Sequence, residues 1–329
     1  MRKFIIWTLA VAIVIATAVY GAFQFSPWPS ALLIRRVFDR DAITANKALA
    51  KHAPPGISEI PNRSYDQGSA DARLDVYFPA DTGANPTIIW IHGGAWLSGS
   101  KDFLSNYFRI LAGHGYTVVG VDYSLAPGAH YPTPIRQVNA ALAHLKTNAA
   151  ELKIDPANIF LAGDSAGSQI AGQMSNLITS PGYATQMQIT PAIAKDELRG
   201  VILHCGAFGA DGLNLDGPFG GFIRTTLWSY FGTSDFLNDP RLKEFSVTGN
   251  LTPAFPPFFI SGGNADPLLP QSEQLAEAAR GMGITVDTLF FPNDYAPPLA
   301  HEYQFNLDTD AGKLALERSL AFVASHVRK

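Results

Sequence analysis

Short apolar runs recur along the chain from Leu74 onward, and several of them carry apolar side chains at both alternate positions. This pattern is typical of strands buried on both faces of a largely parallel sheet. Seven runs of this kind predict β-strands. They are residues 74–78, 87–92, 117–123, 158–163, 200–205, 257–263 and 286–291.

Between these runs, apolar residues recur at intervals of three or four, which predicts amphipathic helices. The periodic positions are Ile135, Val138, Leu142 and Leu145, then Leu275, Ala278 and Ala279, then Leu314, Leu316, Leu320 and Phe322. Strands that alternate with helices indicate βαβ units. The predicted fold class is therefore α/β, with a mostly parallel central sheet flanked by helices.

Residues 206–251 interrupt this alternation. The segment is rich in Gly, Phe and Asp, and it is far longer than an ordinary connection between a strand and a helix. We expect it to form a small cap over one edge of the sheet. Its aromatic residues either build the cap's own core, which we favour, or line a substrate pocket: Phe208, Phe219, Phe222, Trp228, Tyr230 and Phe231.

The N-terminal segment has a different pattern. After Arg2 and Lys3, residues 4–23 carry no charge, and this is about the length of ~20 residues that crosses a bilayer as a helix. A removable signal peptide has a shorter apolar region, so we favour an uncleaved signal anchor. Because the basic residues precede the span, the positive-inside rule exports the rest of the chain. We expect an anchored protein on the periplasmic or extracellular side, or a secreted one if the segment is cleaved.

The chain therefore divides into three parts. Residues 1–25 form the signal anchor or signal peptide, and residues 69–329 form one large domain that includes the insert. Residues 26–68 form a mixed lead-in segment in which an amphipathic helix alternates with Pro-rich breaks, and we expect it to cover part of the large domain. A length of 329 residues would suggest about two domains. An α/β fold, however, often uses 250 to 300 residues in one domain, so we favour a single one.

Composition narrows the functional classes. The chain is 47% hydrophobic and 16% charged, which is typical of a folded protein and not of a disordered one. Its net charge is −4 and it has no run of basic residues, so nucleic acid is not expected as a partner. The single cysteine, Cys205, makes neither an internal disulfide nor a zinc cluster. We expect no metal and no cofactor.

One stretch comes close to a phosphate-binding loop. Gly94 and Gly99 have the spacing of that motif, but Ser100 stands where its lysine is required, and Lys101, one residue late, stands where its magnesium-binding hydroxyl is required. The nucleotide-binding interpretation fails for this reason.

A serine between two glycines is the first candidate for chemistry. Ser165 lies between Gly163 and Gly167, after an apolar run and before a stretch with a helical pattern. Small residues at these positions allow the sharp strand-to-helix turn that exposes a nucleophilic serine. Serine is also a favoured N-cap of helices, and the stretch alone leaves both interpretations open.

A glycine pair follows an earlier predicted strand, in the stretch His92-Gly93-Gly94-Ala95-Trp96. Glycines at the end of a strand let backbone N–H groups turn toward a substrate oxygen. We therefore expect the loop to supply donors to an oxyanion. We interpret His92 as a brace of this loop through a backbone hydrogen bond.

In chain order, the stretches HGGAW (92–96), VDYSLAPGAHYPTP (121–134) and GDSAG (163–167) resemble the signature series of α/β-hydrolases. The resemblance is to the hormone-sensitive-lipase-like esterase group, with its acetyl esterases and carboxylesterases. It continues through GNADPLLPQ (263–271) and AHEYQF (300–305), so it covers about residues 70–325. It implies an α/β-hydrolase fold and a triad in the order serine, acid, histidine.

The resemblance implies roles for particular residues. Ser165 would be the nucleophile, Asp266 the acid and His301 the base. The rival acids are Asp287 and Asp294. The rival histidines are His204, interpreted as a core residue, and His326, interpreted as solvated.

The oxyanion hole is expected from backbone N–H groups of Gly93, Gly94 or Ala95, together with Ala166. The family often has a third glycine where this chain has Ala95, whose small Cβ should leave the loop intact. The family also often has an acidic residue in the helix after the DYSLAP stretch, and this chain has none. Asp164 is interpreted as structural, pointing away from the oxyanion.

The function implied is a serine carboxylic-ester hydrolase that cleaves small to medium acyl esters through an acyl-enzyme on Ser165. Its partners would be a small-molecule ester and, through the N-terminal helix, a membrane. An amidase or peptidase of the same fold is one alternative. A non-catalytic, membrane-tethered binding protein on a hydrolase scaffold is the other. The physiological ester, the acyl length and the oligomeric state stay open.

Overall fold

The computed structural model describes residues 2–209, 213 and 215–328. Its described residues form a sheet of eight strands in the order β1-β2-β4-β3-β5-β6-β7-β8. The strands are β1 Ile57–Ser64, β2 Arg73–Pro79, β3 Asn85–Ile91, β4 Thr117–Val121, β5 Ile154–Asp164, β6 Leu198–His204, β7 Phe258–Gly262 and β8 Val286–Phe290. Strands β1 and β2 run antiparallel to their neighbours, and β3 to β8 are mutually parallel. The predicted α/β fold is confirmed.

Each of the seven predicted strand segments lies on a strand, whereas β1 was not predicted. This strand contains Pro61 and mostly polar residues, and its register shifts between Ile60 and Arg63. Proline is tolerated there because β1 is an edge strand, whose outer N–H groups have no ladder partner. An edge strand of this kind lacks the apolar pattern that identifies buried strands.

Helices cover both faces of the sheet. They are α1 Arg2–Phe25, α2 Trp28–Leu49, α3 Ser105–Ala112, α4 Thr133–Thr147, α5 Ala166–Thr179, α6 Pro181–Met187, α7 Gly220–Phe231, α8 Arg241–Phe245, α9 Leu269–Gly281 and α10 Asp310–His326. Helices α4, α5 and α9 pack with one face of the sheet in one hydrophobic cluster. Helices α3 and α10 pack with the other face in a second cluster.

The insert supplies α7 and α8, although residues 210–212 and 214 of it lie outside the described part of the chain. Its aromatic residues pack mainly with one another and with the body: the Tyr230 ring stacks on Trp96 at 4.8 Å, and Phe231 meets Phe245 at 5.8 Å. Phe208, Tyr230 and Phe231 are buried. These three rings belong to the same hydrophobic cluster as α4, α5 and α9, and Phe219 is 56% exposed. The expectation that the aromatic residues build a separate core for the cap therefore needs correction.

The lead-in segment contains a long helix. Proline near the start of α2 suits a first helical turn, and the helix then runs for 22 residues. The Arg35 guanidinium fastens α2 to the body by donating to the carbonyl oxygens of Leu97 (2.5 Å) and Ala126 (2.9 Å). Helix α2 also meets the insert, since Phe38 lies 5.8 Å from Phe222. Helix α2 therefore contacts both the body and the insert.

Helix α1 precedes this body. Its segment Phe4–Phe25 is 22 residues long, apolar enough to cross a membrane and without buried residues. Both a signal anchor and a signal peptide have this composition.

Candidate active site

Ser165 occupies a strained turn between β5 and α5. Its φ is 51° and its ψ is −117°, a conformation that non-glycine residues rarely adopt. The turn is held by the Ser165 amide, which donates to the carbonyl oxygen of His204 at 2.8 Å. Ser165 stands at the N-cap of α5, but its side chain makes no capping hydrogen bond. The helix-capping interpretation of this serine therefore does not describe the structure.

The two flanking glycines are required by close backbone approach. A Cβ added at Gly163 would overlap the backbone of Gly167, and a Cβ added at Gly167 would overlap the carbonyl oxygen of Ile91 at the end of β3. Since both obstacles are backbone atoms, neither moves aside cheaply. The first turn of α5 fits over the sheet only without these side chains.

Replacement of Gly167 by alanine is expected to destabilise the fold by about 1–3 kcal/mol or more, because the added methyl overpacks a rigid site. Urea unfolding of the full chain in detergent, followed by tryptophan fluorescence, measures the effect. Gly182→Ala in α6 is the matched control, because no atom lies within 4 Å of its added Cβ. Equal unfolding midpoints for the two variants would contradict the overlap argument.

The structure brings Ser165, Asp266 and His301 together. His301 Nε2 lies 2.9 Å from Ser165 Oγ, and His301 Nδ1 lies 2.9 Å from Asp266 Oδ2. The other carboxylate oxygen, Asp266 Oδ1, accepts a hydrogen bond from the Leu268 amide at 2.8 Å. Because its side chain is fully buried, Asp266 is held in one orientation toward the imidazole.

The rival acids lie elsewhere. Asp287 is on β8, where it forms an ion pair with Arg318, and Asp294 is exposed on the following loop. Neither carboxylate is bonded to the His301 ring, whose Nδ1 partner is Asp266.

The rival histidines are also separate from Ser165. His204 is fully buried on β6 with its Nδ1 2.6 Å from Ser261 Oγ, and burial lowers its pKa to about 3. His326 is half-buried and not solvated as expected, because its ring packs on Phe322 at 4.5 Å. Both rings have packing roles.

Asp164 holds the glycine loop (residues 92–96) in place through a hydrogen bond to its backbone. One of its carboxylate oxygens accepts the Trp90 indole N–H at 2.7 Å, and the other accepts the Gly93 amide at 2.8 Å. Burial, reinforced by the charge of Glu302, raises the pKa of the Asp164 carboxyl well above its usual range. The structural interpretation of Asp164 agrees with these contacts. The expectation for Gly93 needs correction, since its N–H is already donated to this carboxylate.

Three amides are left for the oxyanion hole. Gly94 (φ 104°) and Ala95 (φ 55°) curve the loop, and neither amide donates to another group among the described residues. The third is Ala166, the first residue of α5, where an amide has no partner within the helix. His92 braces the loop as expected: its Nδ1 lies 2.8 Å from the Gly93 carbonyl oxygen, and its ring stacks on Tyr123 at 4.3 Å.

A second carboxylate near the imidazole was missed by the sequence analysis. Glu302 follows His301 in a left-handed conformation (φ 61°), which places its Oε1 3.9 Å from His301 Nε2. Burial by itself would lower the pKa of His301, but Cys205, Asp266 and Glu302 outweigh it and raise that pKa well above its usual value. The sequence analysis did not single out Glu302, because its approach to the ring depends on the local backbone conformation, which no motif in the sequence indicates.

Substitution Glu302→Gln is expected to move the acidic limb of the pH–rate profile to lower pH. The carboxylate stabilises the charged imidazolium, so its removal lowers the pKa of His301 and leaves more neutral base at acidic pH. The measurement is kcat/KM for a soluble ester across pH 4–9. Glu317→Gln on α10 serves as the control with the same loss of charge. An unmoved limb, or an equal shift in both variants, would contradict this role of Glu302.

A cavity of about 360 Å³ opens beside Ser165. Helix α2 supplies one wall through residues that include Phe38, Ala42 and Ala45, and the glycine loop and Phe305 supply others. The six aromatic residues of the insert do not line it. The sequence analysis expected the lead-in segment to cover part of the domain, but it did not predict that α2 lines this cavity, because the segment carries no motif.

Two further polar groups bear on ligand binding. Lys101, considered above beside the phosphate-loop pattern, is buried and paired with Asp75 at 3.1 Å, which makes it structural. Among the described residues, ligand atoms of Cys205, Asp266 and His301 lie within 4.8 Å of one another, a spacing that a metal ion could use. Burial raises the pKa of the Cys205 thiol, and the other two side chains are bonded to each other, so the trio is poorly suited to a cation.

Comparison with known proteins adds to this geometry. A family model described as the alpha/beta hydrolase fold matches residues 88–295. Carboxylesterase NlhH of Mycobacterium tuberculosis is 33% identical over 264 residues, which are 78% of this chain and 79% of that protein.

Solved structures of similar fold include esterases from a bacterium and an archaeon. Esterase B from Lactobacillus rhamnosis superposes with a TM-score of 0.75 at 23% identity, covering 90% of this chain and 96% of that one. The hyperthermophilic esterase from Pyrobaculum calidifontis gives a TM-score of 0.72 at 21% identity, covering 96% and 97%. At these identities the likeness shows the fold.

Proposed function

Because this chain belongs to the α/β-hydrolase family and is an ester hydrolase, we propose that Ser165, His301 and Asp266 are the catalytic triad that cleaves its carboxylic esters. The observation that carries the proposal is the continuous pair of 2.9 Å hydrogen bonds from Ser165 through His301 to Asp266. Ser165 occupies a strained turn and lines the cavity. No helix cap or core serine needs this arrangement.

Acylation follows from the positions of these atoms. Ser165 Oγ attacks the acyl carbon while His301 Nε2 takes its proton, and the carbonyl electrons move onto oxygen. Asp266 holds the tautomer with a proton on Nδ1 and stabilises the imidazolium. When the oxyanion collapses, the ester C–O bond breaks and His301 returns the proton to the leaving alcohol. Water then repeats the sequence and frees the acid.

The developing oxyanion is proposed to lie against the amides of Gly94, Ala95 and Ala166. Each donor of this kind contributes about 3 kcal/mol to the transition state. Asp164 fixes the loop by binding the neighbouring Gly93 amide, so that the donors are aligned before the substrate arrives. The cavity of about 360 Å³ is at the lower end of ligand-sized sites, which favours small to medium acyl groups.

The test combines covalent trapping with turnover. A p-nitrophenyl alkylphosphonate should inactivate the full chain and add its phosphonyl mass to the peptide that contains Ser165. p-Nitrophenyl esters of increasing acyl length should be cleaved with a maximum at short or medium chains. Mass found on another residue would refute the nucleophile, and faster cleavage of matched p-nitroanilides would favour the amidase alternative.

We also propose that α1 is an uncleaved signal anchor and that the domain after it is exported. The length of the apolar span and the basic residues before it support this proposal. Carbonate washing of membranes should leave the full-length protein in the pellet. A shortened protein released without detergent would indicate a cleaved signal peptide instead.

A further inference from the structure

The outward face of α2 combines apolar and basic side chains. Leu32, Leu33, Val37 and Ile43 are between 38% and 58% exposed, although each is a large apolar residue. At 100° per residue they share one side of the helix with Arg36, Arg40 and Lys47. We call these seven residues the outer face of α2. Four large apolar side chains exposed on one side of a helix form a patch, so their exposure needs an explanation.

The charge of this face is positive. A shallow groove of about 560 Å³ runs along it, and its lining includes the three basic side chains of this face. It also includes Arg35, which is bonded to the body, and one acidic side chain. That acid, Asp39, accepts a hydrogen bond from the Gly99 amide at 3.2 Å, so it is turned toward the body. Arg40 pairs with exposed Asp41 at 3.2 Å, and an exposed pair of this kind is weak.

The position of α2 in the chain limits where this face can lie. Only Ser26 and Pro27 separate α1 from α2, and two residues reach at most about 7 Å. If α1 spans a membrane, α2 begins within the headgroup layer. Exposed apolar side chains and nearby basic side chains both strengthen the binding of a helix to an anionic membrane surface.

We propose that the outer face of α2 binds the anionic phospholipid surface of the bilayer that holds α1. The inference rests on the proposed anchor and extends it. The apolar side chains enter the interface, and Arg36 and Lys47 contact lipid phosphates. The opposite side of the same helix forms a wall of the catalytic cavity through Phe38, Ala42 and Ala45. The cavity therefore lies next to the lipid surface, and its substrate class is an amphiphilic ester carried in the membrane.

A fluorescent reporter tests the contact in the full chain. Val37→Cys places a thiol on the outer face for acrylodan, and Leu237→Cys, in the insert and 55% exposed, is the matched control. Native Cys205 is buried, and the unsubstituted chain measures its background labelling. The proteins are reconstituted into vesicles of phosphatidylcholine with phosphatidylglycerol and into vesicles of phosphatidylcholine alone.

A blue shift of the emission at position 37, larger in the anionic vesicles and absent at position 237, is the expected result. Emission at 37 that matches the water-exposed control in both vesicles, while the protein stays in the membrane after carbonate washing, would overturn the lipid contact and leave the anchor standing. Release by carbonate would overturn the anchor and this inference with it. Neither result bears on the triad, which soluble esters test separately.

Charge removal provides a second readout. Arg36→Gln with Lys47→Gln should slow hydrolysis of an ester carried in anionic vesicles by about fivefold or more, since each basic residue near such a surface strengthens binding by about that factor. Hydrolysis of a water-soluble ester should stay within about twofold, because neither residue lines the catalytic cavity. Lys195→Gln with Arg280→Gln removes the same charge elsewhere. Equal loss in both pairs, or loss on both esters, would contradict the proposal.

Discussion

Replacement of Ser165 by alanine is expected to lower kcat for ester hydrolysis by about a million-fold. The residual activity would come from substrate binding and the oxyanion donors. The alanine methyl cannot attack the carbonyl, and His301 loses the group whose proton it takes, 2.9 Å from its Nε2. Initial rates with a p-nitrophenyl ester measure the loss, on protein expressed in a host that lacks other esterases active on that ester. Circular dichroism of the variant should match that of the wild type.

The matched control is Ser175→Ala on the same helix. Ser175 is also buried, but its hydroxyl donates only to the Ala171 carbonyl of its own helix, at 2.9 Å. Its loss should leave kcat within about twofold, since a helix-internal hydroxyl adds little. If Ser165→Ala retained full activity on every ester, another nucleophile would have to act. If Ser175→Ala lost activity to the same extent, the effect of Ser165 would be one of folding.

The apolar pattern predicted β2 to β8 because strands buried on both faces carry apolar residues at both alternate positions. Edge strand β1 was not predicted, because half of its surface faces water and its sequence therefore lacks the apolar pattern and tolerates Pro61. Helix α2 lies in the lead-in segment, where an amphipathic helix was expected between Pro-rich breaks but without bounds. Its contribution to the cavity depends on how Arg35 fastens it to two distant loops, which no local pattern encodes.

In the candidate site, too, some residues could be predicted from sequence motifs and others depend on contacts that only the folded structure shows. The order of motifs pointed to Ser165, Asp266 and His301, because chain order constrains which loops meet at one end of a parallel sheet. Motif reasoning could not tell that the Gly93 amide is donated to Asp164, since this depends on where a buried carboxylate turns. Nor could it find Glu302, whose approach to the ring depends on the local backbone conformation.

The second large effect is expected for Asp266→Asn, which should lower kcat by about 10⁴-fold. Asp266 Oδ1 is already bound to the Leu268 amide, so the other position of the side chain faces His301 Nδ1. An amide NH₂ there would favour the tautomer with its proton on Nε2, which cannot accept the serine proton. The neutral side chain also stops raising the pKa of His301, so the residual activity should have its acidic limb at lower pH.

Asp287→Asn separates this role from a general loss of charge. Asp287 pairs with Arg318 at the edge of the sheet and makes no contact with the imidazole, so its variant should lose some stability and keep its pH profile. The measurement is kcat against pH for both variants under the same conditions. The acidic limb should be displaced in Asp266→Asn and unchanged in Asp287→Asn. A larger loss of kcat in Asp287→Asn would assign the acid to β8. Equal and small losses in both would mean that His301 is oriented by the surrounding backbone and not by a carboxylate.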